Sequence, residues 1–242
     1  EVILFKPAYD CYEPTIEING GKVVPIQLHY PDYKVNWEQV KSAINSKTKM
    51  IIVNTPQNPC GTIFSKEDMQ QLEAITSNTD IIVLSDEVYE HMVYDGLTHQ
   101  SVCLFPELKK RSFITASFGK TFHATGWKMG YCCGPSELME EFIKVHQFNV
   151  YCINHPIQKA LATYLENSEN YLYLPAFFQR KRDLLLEAIK PSRFSFIPSK
   201  ATYFQTLSYK NISLENDIDF AKRLTKEFKI ASIPLSVFND NQ

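Results

Sequence analysis

The amino-acid sequence predicts an α/β protein, in which a mostly parallel β-sheet is sandwiched by helices and is followed by a smaller α+β region. Short apolar stretches alternate with amphipathic ones through residues 1–167, which is the pattern of consecutive βαβ units. Stretches such as MIIV (50–53) and IIVL (81–84) are apolar at every position, as expected for strands covered on both faces. Polar residues follow several of these stretches directly. Ligands in such sheets bind beyond the carboxyl ends of the strands, so a functional site is expected there.

Six strands and five helices are predicted in this part of the chain. The first strand, EVILFKP, is apolar and β-branched and is closed by Pro7. Asn36 and Ser65 are predicted N-caps, and Ser65 with Asp68 forms an S-x-x-D capping box. The strands are expected at 1–6, 23–28, 49–54, 80–85, 111–116 and 128–133. The helices are expected at about 10–19, 36–45, 66–77, 136–150 and 154–167.

The remainder of the chain predicts a second, smaller domain. Residues 175–190, PAFFQRKRDLLLEAIK, have the pattern of a long amphipathic helix that bridges two domains. After it come two short β-like pieces, FSFIP and ATYFQTLS, a helix at about 214–229 and a final strand in IASIPLSVF. We therefore expect a large domain at 1–168 and a small C-terminal domain at 169–242.

Composition excludes several functional classes. The net charge is −2 and no basic block is present, which argues against a nucleic-acid partner. No apolar run approaches the roughly 20 residues that cross a bilayer. The six cysteines are scattered without zinc-ligand spacing, so we expect buried free thiols in a reducing compartment and a cytoplasmic location. The chain starts within a strand and stops just after one, so we expect it to be an incomplete portion of a longer polypeptide, lacking parts of both domains.

An acid, an amine and a hydroxyl lie at the predicted strand ends, in IIVLSD and SFGK, and this combination matches the needs of pyridoxal phosphate. This cofactor requires a lysine for its aldehyde, an acid beside its ring nitrogen, and hydroxyls and cations for its phosphate. The stretch SFGKTFHATGWKMG places the hydroxyl of Ser117 and the amines of Lys120 and Lys128 around turn-forming glycines. Upstream, IIVLSD ends an apolar run with Asp86. A buried carboxylate needs a partner, and a pyridinium ring provides one.

Three further residues fit neutral contacts to the same ring, and each has an ordinary alternative. Asn58, in the loop NTPQNPCG, and Tyr89 can hold the ring oxygen, while Tyr9 can stack on the ring. Taken singly, Asn58 is better explained as a turn residue, and either tyrosine is equally well explained as a packed aromatic. Lys120 alone can be a solvated loop lysine, and Asp86 alone an N-cap or a structural ion pair. Their shared order at strand ends favours one site.

Five segments of the chain resemble those of fold-type I pyridoxal-phosphate enzymes, specifically the class I/II aminotransferases. They are KPAYDCYEP, NTPQNPCGTIF, SDEVYEHMVYDG, SFGKTFHATGWKMGYCCGP and IPLSVF. The likeness runs over essentially the whole chain. It is greatest to the kynurenine–oxoglutarate and methionine aminotransferase branch, in which the cofactor lysine is followed by T-F/Y-x-x-T-G-W-K. The resemblance implies an aspartate aminotransferase-like fold.

The resemblance also implies a role for each candidate around the cofactor ring. Lys120 would bind pyridoxal 5'-phosphate covalently and then move a proton at the substrate α-carbon. Asp86 would pair with the pyridine nitrogen, and Asn58 and Tyr89 would contact the ring oxygen. Asn58 would in addition touch the substrate carboxylate.

Three other residues would complete the cofactor site. Ser117 and Lys128 would hold the phosphate, and Tyr9 would stack on the ring. The family's N-terminal phosphate-binding turn and its C-terminal arginine for the substrate carboxylate have no counterpart in the sequence. If the molecule consists of residues 1–242 alone, we expect weak cofactor retention and little or no transamination.

The predicted activity is a ping-pong transamination through a Schiff base. An amino group would pass from a large apolar, sulfur-containing or aromatic amino acid, of the methionine, glutamine or kynurenine class, to a 2-oxo acid. A homodimer is expected, with no nucleic-acid or membrane partner and no metal. Two alternatives remain open: a non-catalytic binding or regulatory domain, or inactive fragment, and a cysteine-conjugate β-lyase. A Ser117–His123–Asp86 hydrolase triad is disfavoured because no G-x-S-x-G motif is present.

Overall fold

The computed structural model describes residues 1–239 and contains a six-stranded sheet. The strand order is β2-β1-β3-β4-β5-β6, with β1 to β5 parallel and β6 antiparallel to β5. The prediction of a mostly parallel sheet is confirmed, and each strand lies within two residues of its expected position. The strands are β1 (Val2–Lys6), β2 (Val23–Gln27), β3 (Met50–Asn54), β4 (Ile82–Asp86), β5 (Ser112–Ser117) and β6 (Gly130–Cys133). Residues 240–242 of the predicted small domain lie outside the described residues.

Helices account for most of the remaining regular structure. The five helices expected before residue 168 are present, together with short helices that the sequence did not predict. The α-helices are α1 (Tyr12–Ile18), α2 (Trp37–Ala43), α3 (Lys66–Thr76), α4 (Pro106–Lys109), α5 (Phe118–Thr121), α6 (Ser136–Asn149), α7 (His155–Leu165), α8 (Glu169–Leu172), α9 (Leu174–Ile189) and α10 (Asp217–Arg223). The other helical turns are Val102–Leu104, Thr125–Trp127, Leu224–Phe228 and Leu235–Phe238.

The central strands of the sheet are buried on both faces. Alternate residues of its strands point to opposite sides, and on one side Ile3, Ile51 and Val83 pack with residues of α2 and α3 such as Val40 and Met69. On the other side Leu4 and Ile52 pack against Ile16 of α1. Full burial of one such side chain stabilises the fold by roughly 1.5–3 kcal/mol. These two apolar layers hold the strands rigidly, so the residues at the strand ends have fixed positions.

Both predicted N-caps are confirmed. The side chain of Asn36 accepts a hydrogen bond from the backbone N–H of Gln39 at 3.2 Å. The Ser65 hydroxyl accepts from the backbone N–H of Asp68 at 3.1 Å, and the Asp68 carboxylate accepts from the backbone N–H of Ser65 at 2.9 Å. This reciprocal pair fixes the start of α3, because it satisfies donors that a helix leaves unpaired.

The C-terminal part follows the prediction for its helices but not for its strands. Helix α9 lies where it was expected, and α10 with the helical turn that follows it fills the helix expected at about 214–229. The two β-like pieces meet only at an isolated antiparallel bridge between Ser195 and Ser208. The predicted final strand is wrong: within residues 1–239 the segment after α10 joins no strand ladder, and Leu235–Phe238 is a 3-10 turn. A strand is stable only when its backbone groups pair with a neighbour, and Pro234 has no N–H to donate.

Strands β1 to β5 all end at the same edge of the sheet, which we call the carboxyl edge. Asn54 ends β3, Asp86 ends β4 and Ser117 ends β5. Asp86 lies beside Asn54 on one side and Thr115 on the other. The antiparallel strand β6 begins at this edge, where Gly130 pairs with Ser117. The topology therefore gathers the loops that carry the predicted site residues. Among residues 1–239, no helix is both long and apolar enough to traverse a lipid bilayer.

Candidate functional site

The carboxylate of Asp86 lies at the centre of the carboxyl edge and is held by two hydrogen bonds. Its Oδ2 accepts from the hydroxyl of Tyr12 at 2.5 Å, and its Oδ1 accepts from the backbone N–H of Val88 at 3.1 Å. Burial raises the pKa of the Asp86 carboxyl, although both hydrogen bonds and the positive charge of Lys120 oppose that rise. Asp86 is therefore a partly desolvated acid for which a nearby cation is favourable.

Lys120 lies in α5, three residues after β5 ends at Ser117. Its side chain is half-buried, and its amine makes no hydrogen bond or ion pair with any other residue in the described range 1–239. Its charge lowers the pKa of the Asp86 carboxyl and, against the opposing effect of burial, that of the Tyr9 phenol. Lys120 is therefore near enough to Asp86 and Tyr9 for its charge to act on both groups.

Tyr9 lies between β1 and α1 and is 42% exposed. Its ring meets the ring of Tyr12 edge to face, with centroids 5.7 Å apart and an interplanar angle of 76°. Its carbonyl accepts a hydrogen bond from the backbone N–H of Tyr12 at 3.2 Å. Tyr9 is thus partly open to solvent. Burial raises its pKa first, followed by the charge of Asp10, and the charge of Asp86 adds a smaller rise.

Asn58 is tied to the site through Asn54. The backbone N–H of Asn58 donates to Oδ1 of Asn54 at 2.8 Å, and Nδ2 of Asn54 donates to the carbonyl of Asp86 at 3.0 Å. The side-chain oxygen of Asn58 is buried and has no hydrogen-bond partner among residues 1–239. Asn58, Asn54 and Tyr12 also line a small cavity beneath the carboxyl edge. A buried, unpaired amide is costly, so this amide has spare capacity for a bound ligand.

Tyr89 lies on the loop after β4 and is 2% exposed. Burial raises its pKa far above the usual range, with further contributions from Tyr203 and Asp86. Its hydroxyl lies 3.4 Å from that of Tyr203, and the two rings are 5.4 Å apart. Tyr89 is therefore a neutral phenol on the side of the site that Tyr203 covers.

Ser117 and Lys128 lie at the paired ends of β5 and β6. The Ser117 hydroxyl accepts from the backbone N–H of Gly119 at 3.1 Å. Lys128 is exposed, has left-handed backbone angles (φ 55°, ψ 44°) and precedes Gly130, the partner of Ser117, by two residues. Its side chain makes no hydrogen bond or ion pair within the described part of the chain. The two residues are brought to one end of the site, where Lys128 provides an unneutralised charge.

Two glycines make this close arrangement possible. A Cβ atom on Gly119 would lie 2.9 Å from the Cα atom of Thr125, and one on Gly130 would lie 2.6 Å from the carbonyl oxygen of Ala116. Both distances are shorter than real Cβ contacts allow. The small residue before Lys120 is thus required by packing against the 124–125 backbone.

The hydrolase triad is not formed in the structure. His123 is exposed, and its ring packs against those of Phe177 and Phe178. The hydroxyl of Ser117 is bonded to the backbone at Gly119 and Met129, and among residues 1–239 it has no contact with a histidine.

The sequence did not indicate Tyr12 or Tyr203 as site residues. Tyr12 follows Tyr9 by three positions at the start of a helix, a spacing that puts both on one side. No local sequence pattern indicates the hydrogen bond between Tyr12 and Asp86, which are 74 residues apart in the sequence. Tyr203 comes from the C-terminal part, 114 residues after Tyr89, and could be found only from the folded structure.

Comparison with known proteins gives a consistent result. The family model "Aminotransferase class I and II" matches residues 1–240. The chain is 41% identical over 239 residues to methionine aminotransferase of Escherichia coli K12, covering 98% of this chain and 62% of that protein. It is 34% identical over 269 residues to human kynurenine–oxoglutarate transaminase 3, covering 100% and 59%.

A solved structure is similar over the whole chain. It comes from Escherichia coli, is described as identifying a methionine aminotransferase function, and superposes with a TM-score of 0.98 at 40% identity. The match covers 100% of this chain and 64% of that one. The chain thus spans about three fifths of the length of the relatives it matches.

Proposed function

The chain belongs to the class I and II aminotransferases, and from this premise we propose that it carries the pyridoxal-phosphate site of a transaminase. The expected aspartate aminotransferase-like fold is confirmed. The donor would be a large apolar, sulfur-containing or aromatic amino acid, and the acceptor a 2-oxo acid. The observation that carries this proposal is that Asp86 and Ser117 end neighbouring strands at the carboxyl edge, and that Lys120, three residues after Ser117, is near enough for its charge to act on Asp86 and Tyr9.

The residues present fit the cofactor. Within residues 1–239, Asp86 has no cationic hydrogen-bond partner, the amine of Lys120 makes no hydrogen bond, and the buried amide oxygen of Asn58 accepts none. A pyridinium ring with an aldehyde and a hydroxyl would satisfy all three. Ser117 and Lys128 would hold the phosphate, Tyr89 would donate to the ring oxygen, and Tyr9 would cover the ring.

The chemistry would be divided between the cofactor and the chain. Bound in this site, pyridoxal phosphate supplies an aldehyde for covalent attachment and a protonated ring that withdraws electrons from the substrate α-carbon. Lys120 would hold the aldehyde and, when a substrate amine displaces it, would take the proton from the α-carbon. Asp86 would keep the ring nitrogen protonated, because its carboxylate is favourable beside a cation.

The substrate class follows from relatives and from the residues around Tyr89. The relatives are named for methionine and kynurenine transamination, and we extend that class to this chain. The rings of Tyr203 and Phe204 lie 5.4 and 5.8 Å from Tyr89, and this aromatic wall suits a thioether or aromatic side chain. No residue of the described site favours a β-lyase or a non-catalytic binding domain.

Assembly and location are part of the same proposal. We expect a homodimer, since α6 exposes Ile143, Val145 and Phe148 by 56%, 68% and 88%, and such apolar surfaces mark protein interfaces. We expect a cytoplasmic protein, because its six cysteines are free thiols and such thiols suit a reducing compartment. The prediction that these thiols are buried is wrong for all but Cys60 and the half-buried Cys132. We also retain the division into a large domain at 1–168 and a small domain at 169–242.

Cofactor attachment is tested by borohydride reduction. Purified protein is mixed with pyridoxal phosphate, reduced, digested and examined by mass spectrometry. We expect a pyridoxyl adduct on Lys120, which Lys120→Arg abolishes and which Lys144→Arg, at an exposed position of α6, leaves unchanged. An adduct spread over surface lysines, or none on Lys120, would overturn the cofactor assignment.

Turnover needs a separate measurement. Methionine is added to the cofactor-loaded protein, and the visible absorbance and the released 2-oxo acid are followed together. In the longer polypeptide of which residues 1–242 are expected to be a portion, we expect the visible band to change and one equivalent of oxo acid to form without an acceptor, because the reaction proceeds in two halves. Residues 1–242 alone should release little or none. An adduct on Lys120 of the longer polypeptide without any oxo acid would favour the alternative of a non-catalytic binding domain.

A further inference from the structure

Tyr12 donates a hydrogen bond to Asp86 but has no part in the chemistry proposed for the site. We propose that Tyr12 is a positioning residue, which holds the Asp86 carboxylate in the orientation and the charge state that the cofactor's ring nitrogen requires. This inference rests on the proposed function of Asp86. It adds to the site a residue that would touch neither the substrate nor the reacting atoms.

The geometry fixes the plane of the carboxylate. Tyr12 donates to Oδ2 at 2.5 Å from α1, and Val88 donates to Oδ1 at 3.1 Å from the turn after β4. A carboxylate oxygen offers two lone-pair positions, so each oxygen keeps one for a further donor. Because the two bonds come from different elements, the carboxylate cannot rotate without breaking one. An incoming ring N–H would therefore meet an acceptor of fixed direction, which favours binding.

The hydrogen bond from Tyr12 also acts on the charge of Asp86. Burial raises the pKa of this carboxyl, and the neighbouring Glu87 raises it further. The bond from Tyr12 is the largest of the opposing effects, ahead of the Val88 N–H and the charge of Lys120. Without it, a larger fraction of Asp86 would be protonated, and a neutral acid cannot pair with a pyridinium ring.

Tyr12 is suited to remain the donor. Its own pKa is raised well above the usual range, first by burial and then by the charge of Asp86, with smaller effects from Cys11 and Tyr89. The phenol therefore keeps its proton. A neutral hydroxyl beside a carboxylate forms a short, charge-assisted hydrogen bond, in agreement with the observed 2.5 Å.

The start of α1 is anchored from two strands. Tyr12 reaches Asp86 at the end of β4, while the next residue, Glu13, forms an ion pair with Lys6 at the end of β1. The ring of Tyr12 also supports that of Tyr9 edge to face at 5.7 Å. Tyr12 therefore connects the residue proposed for the ring face with the residue proposed for the ring nitrogen.

The first test needs no cofactor. The protein is labelled with carbon-13 at aspartate carboxyls, the Asp86 signal is assigned with Asp86→Asn, and its pKa is measured. We expect Tyr12→Phe to raise the pKa of Asp86. Incorporation of 3-fluorotyrosine at position 12, which preserves shape and makes the phenol a stronger donor, should lower it. Unchanged values in both proteins would overturn the proposal.

Tyr131→Phe is the matched control. The Tyr131 hydroxyl donates to the carboxylate of Glu90 at 2.6 Å, so this variant loses a bond of the same kind at another acid. We expect it to leave the Asp86 titration at its wild-type position. A shift as large as that of Tyr12→Phe would mean that the effect is a general loss of structure, which would contradict a specific role for Tyr12.

The second test measures cofactor binding. We expect Tyr12→Phe to weaken the affinity for pyridoxal phosphate about ten-fold, the effect of one charge-assisted hydrogen bond, and to shift the pH dependence of the visible band. Wild-type affinity and an unshifted band in Tyr12→Phe would overturn this inference alone. If the wild-type longer polypeptide, with the segments that flank residues 1–242, fails to take up the cofactor, the proposed function fails as well, and the cofactor-free titration distinguishes the two outcomes.

Discussion

Asn54 and Asp86 are direct neighbours across strands β3 and β4, and the side-chain amide of Asn54 donates a 3.0 Å hydrogen bond to the main-chain carbonyl of Asp86. The oxygen of the same amide accepts from the backbone N–H of Asn58 at 2.8 Å. Asn54 thereby joins the end of one strand to the loop that follows another. The relative position of Asp86 and Asn58 depends on this one buried side chain.

Asn54→Ala should therefore weaken both the fold and the site. The substitution leaves the N–H of Asn58 without its acceptor in a partly buried position, which costs up to about 1–3 kcal/mol. We expect that loss in urea unfolding, together with weaker binding of pyridoxal phosphate. Asn170→Ala removes an amide-to-carbonyl bond at the surface, to Tyr164, and should change stability by no more than about 0.5 kcal/mol. Similar losses in the two variants would contradict a joining role for Asn54.

Gly119→Ala tests the close approach of the Lys120 turn to the 124–125 backbone. The new Cβ would lie 2.9 Å from the Cα of Thr125, and backbone must shift to relieve the clash, at a cost of about 1–3 kcal/mol. We expect a lower unfolding temperature and a reduced yield of the borohydride adduct on Lys120. Gly126→Ala is the control, because its Cβ would meet nothing within 4 Å. An adduct yield equal to wild type in Gly119→Ala would refute the requirement for glycine.

The six strands could be predicted because their signal is local. A run such as MIIV at 50–53 indicates a strand that is buried on both faces, whatever the rest of the chain contains. In the structure this run forms most of β3. The positions of Asp86 and Lys120 at one edge follow from parallel topology alone. The final strand was predicted on the same apolar signal, but a strand also needs a partner ladder, and in residues 1–239 that segment has none.

The contacts within the site could be predicted only in part. Residue type and position at a strand end indicated Asp86, Lys120 and Asn58. The bonds that orient them come from Tyr12 and Asn54, which ordinary packing would explain equally well from sequence. Such bonds depend on distances across the sheet that no local pattern encodes. The roles of the site residues toward a cofactor stay predictions.

Glu87 forms a buried anchor directly beside Asp86. It is 1% exposed, and its carboxylate contacts the Ser85 hydroxyl at 2.9 Å, the backbone N–H of Val102 at 3.1 Å and Nε2 of His99 at 2.8 Å. Glu87→Ala would leave these partners buried and unpaired, so we expect a loss of about 3–5 kcal/mol in the free energy of unfolding. Urea unfolding followed by circular dichroism measures it.

An exposed glutamate gives the comparison for Glu87. Glu141 pairs with Lys144 at 2.6 Å on the surface of α6, where both side chains are mostly exposed. Glu141→Ala should cost less than about 1 kcal/mol, because solvent screens such pairs. If Glu87→Ala lost no more stability than Glu141→Ala, the Glu87 contacts would not anchor the loop that follows β4.

The raised pKa of Asp86 predicts a defined pH dependence of stability in the absence of the cofactor. Burial makes the folded protein hold the Asp86 proton more tightly than the unfolded chain does. In the unfolded chain an aspartate has a pKa of about 3.9. Between that value and the folded pKa, the folded state binds more protons, so the free energy of unfolding falls as the pH rises. Below this window the contribution is fully present, and above it the contribution is lost.

Asp86→Asn isolates this contribution, because the amide does not titrate and can still accept from Tyr12. Urea unfolding of both proteins from about pH 3 to pH 7 gives the difference in unfolding free energy, and we expect the variant to gain relative to wild type as the pH rises through the window. Saturating pyridoxal phosphate should reverse the order at neutral pH, because only the carboxylate can pair with the ring cation. A difference that is flat with pH, or that slopes the other way, would show that the Asp86 carboxyl is not destabilised by burial, and the site would lose its reason for binding a cation.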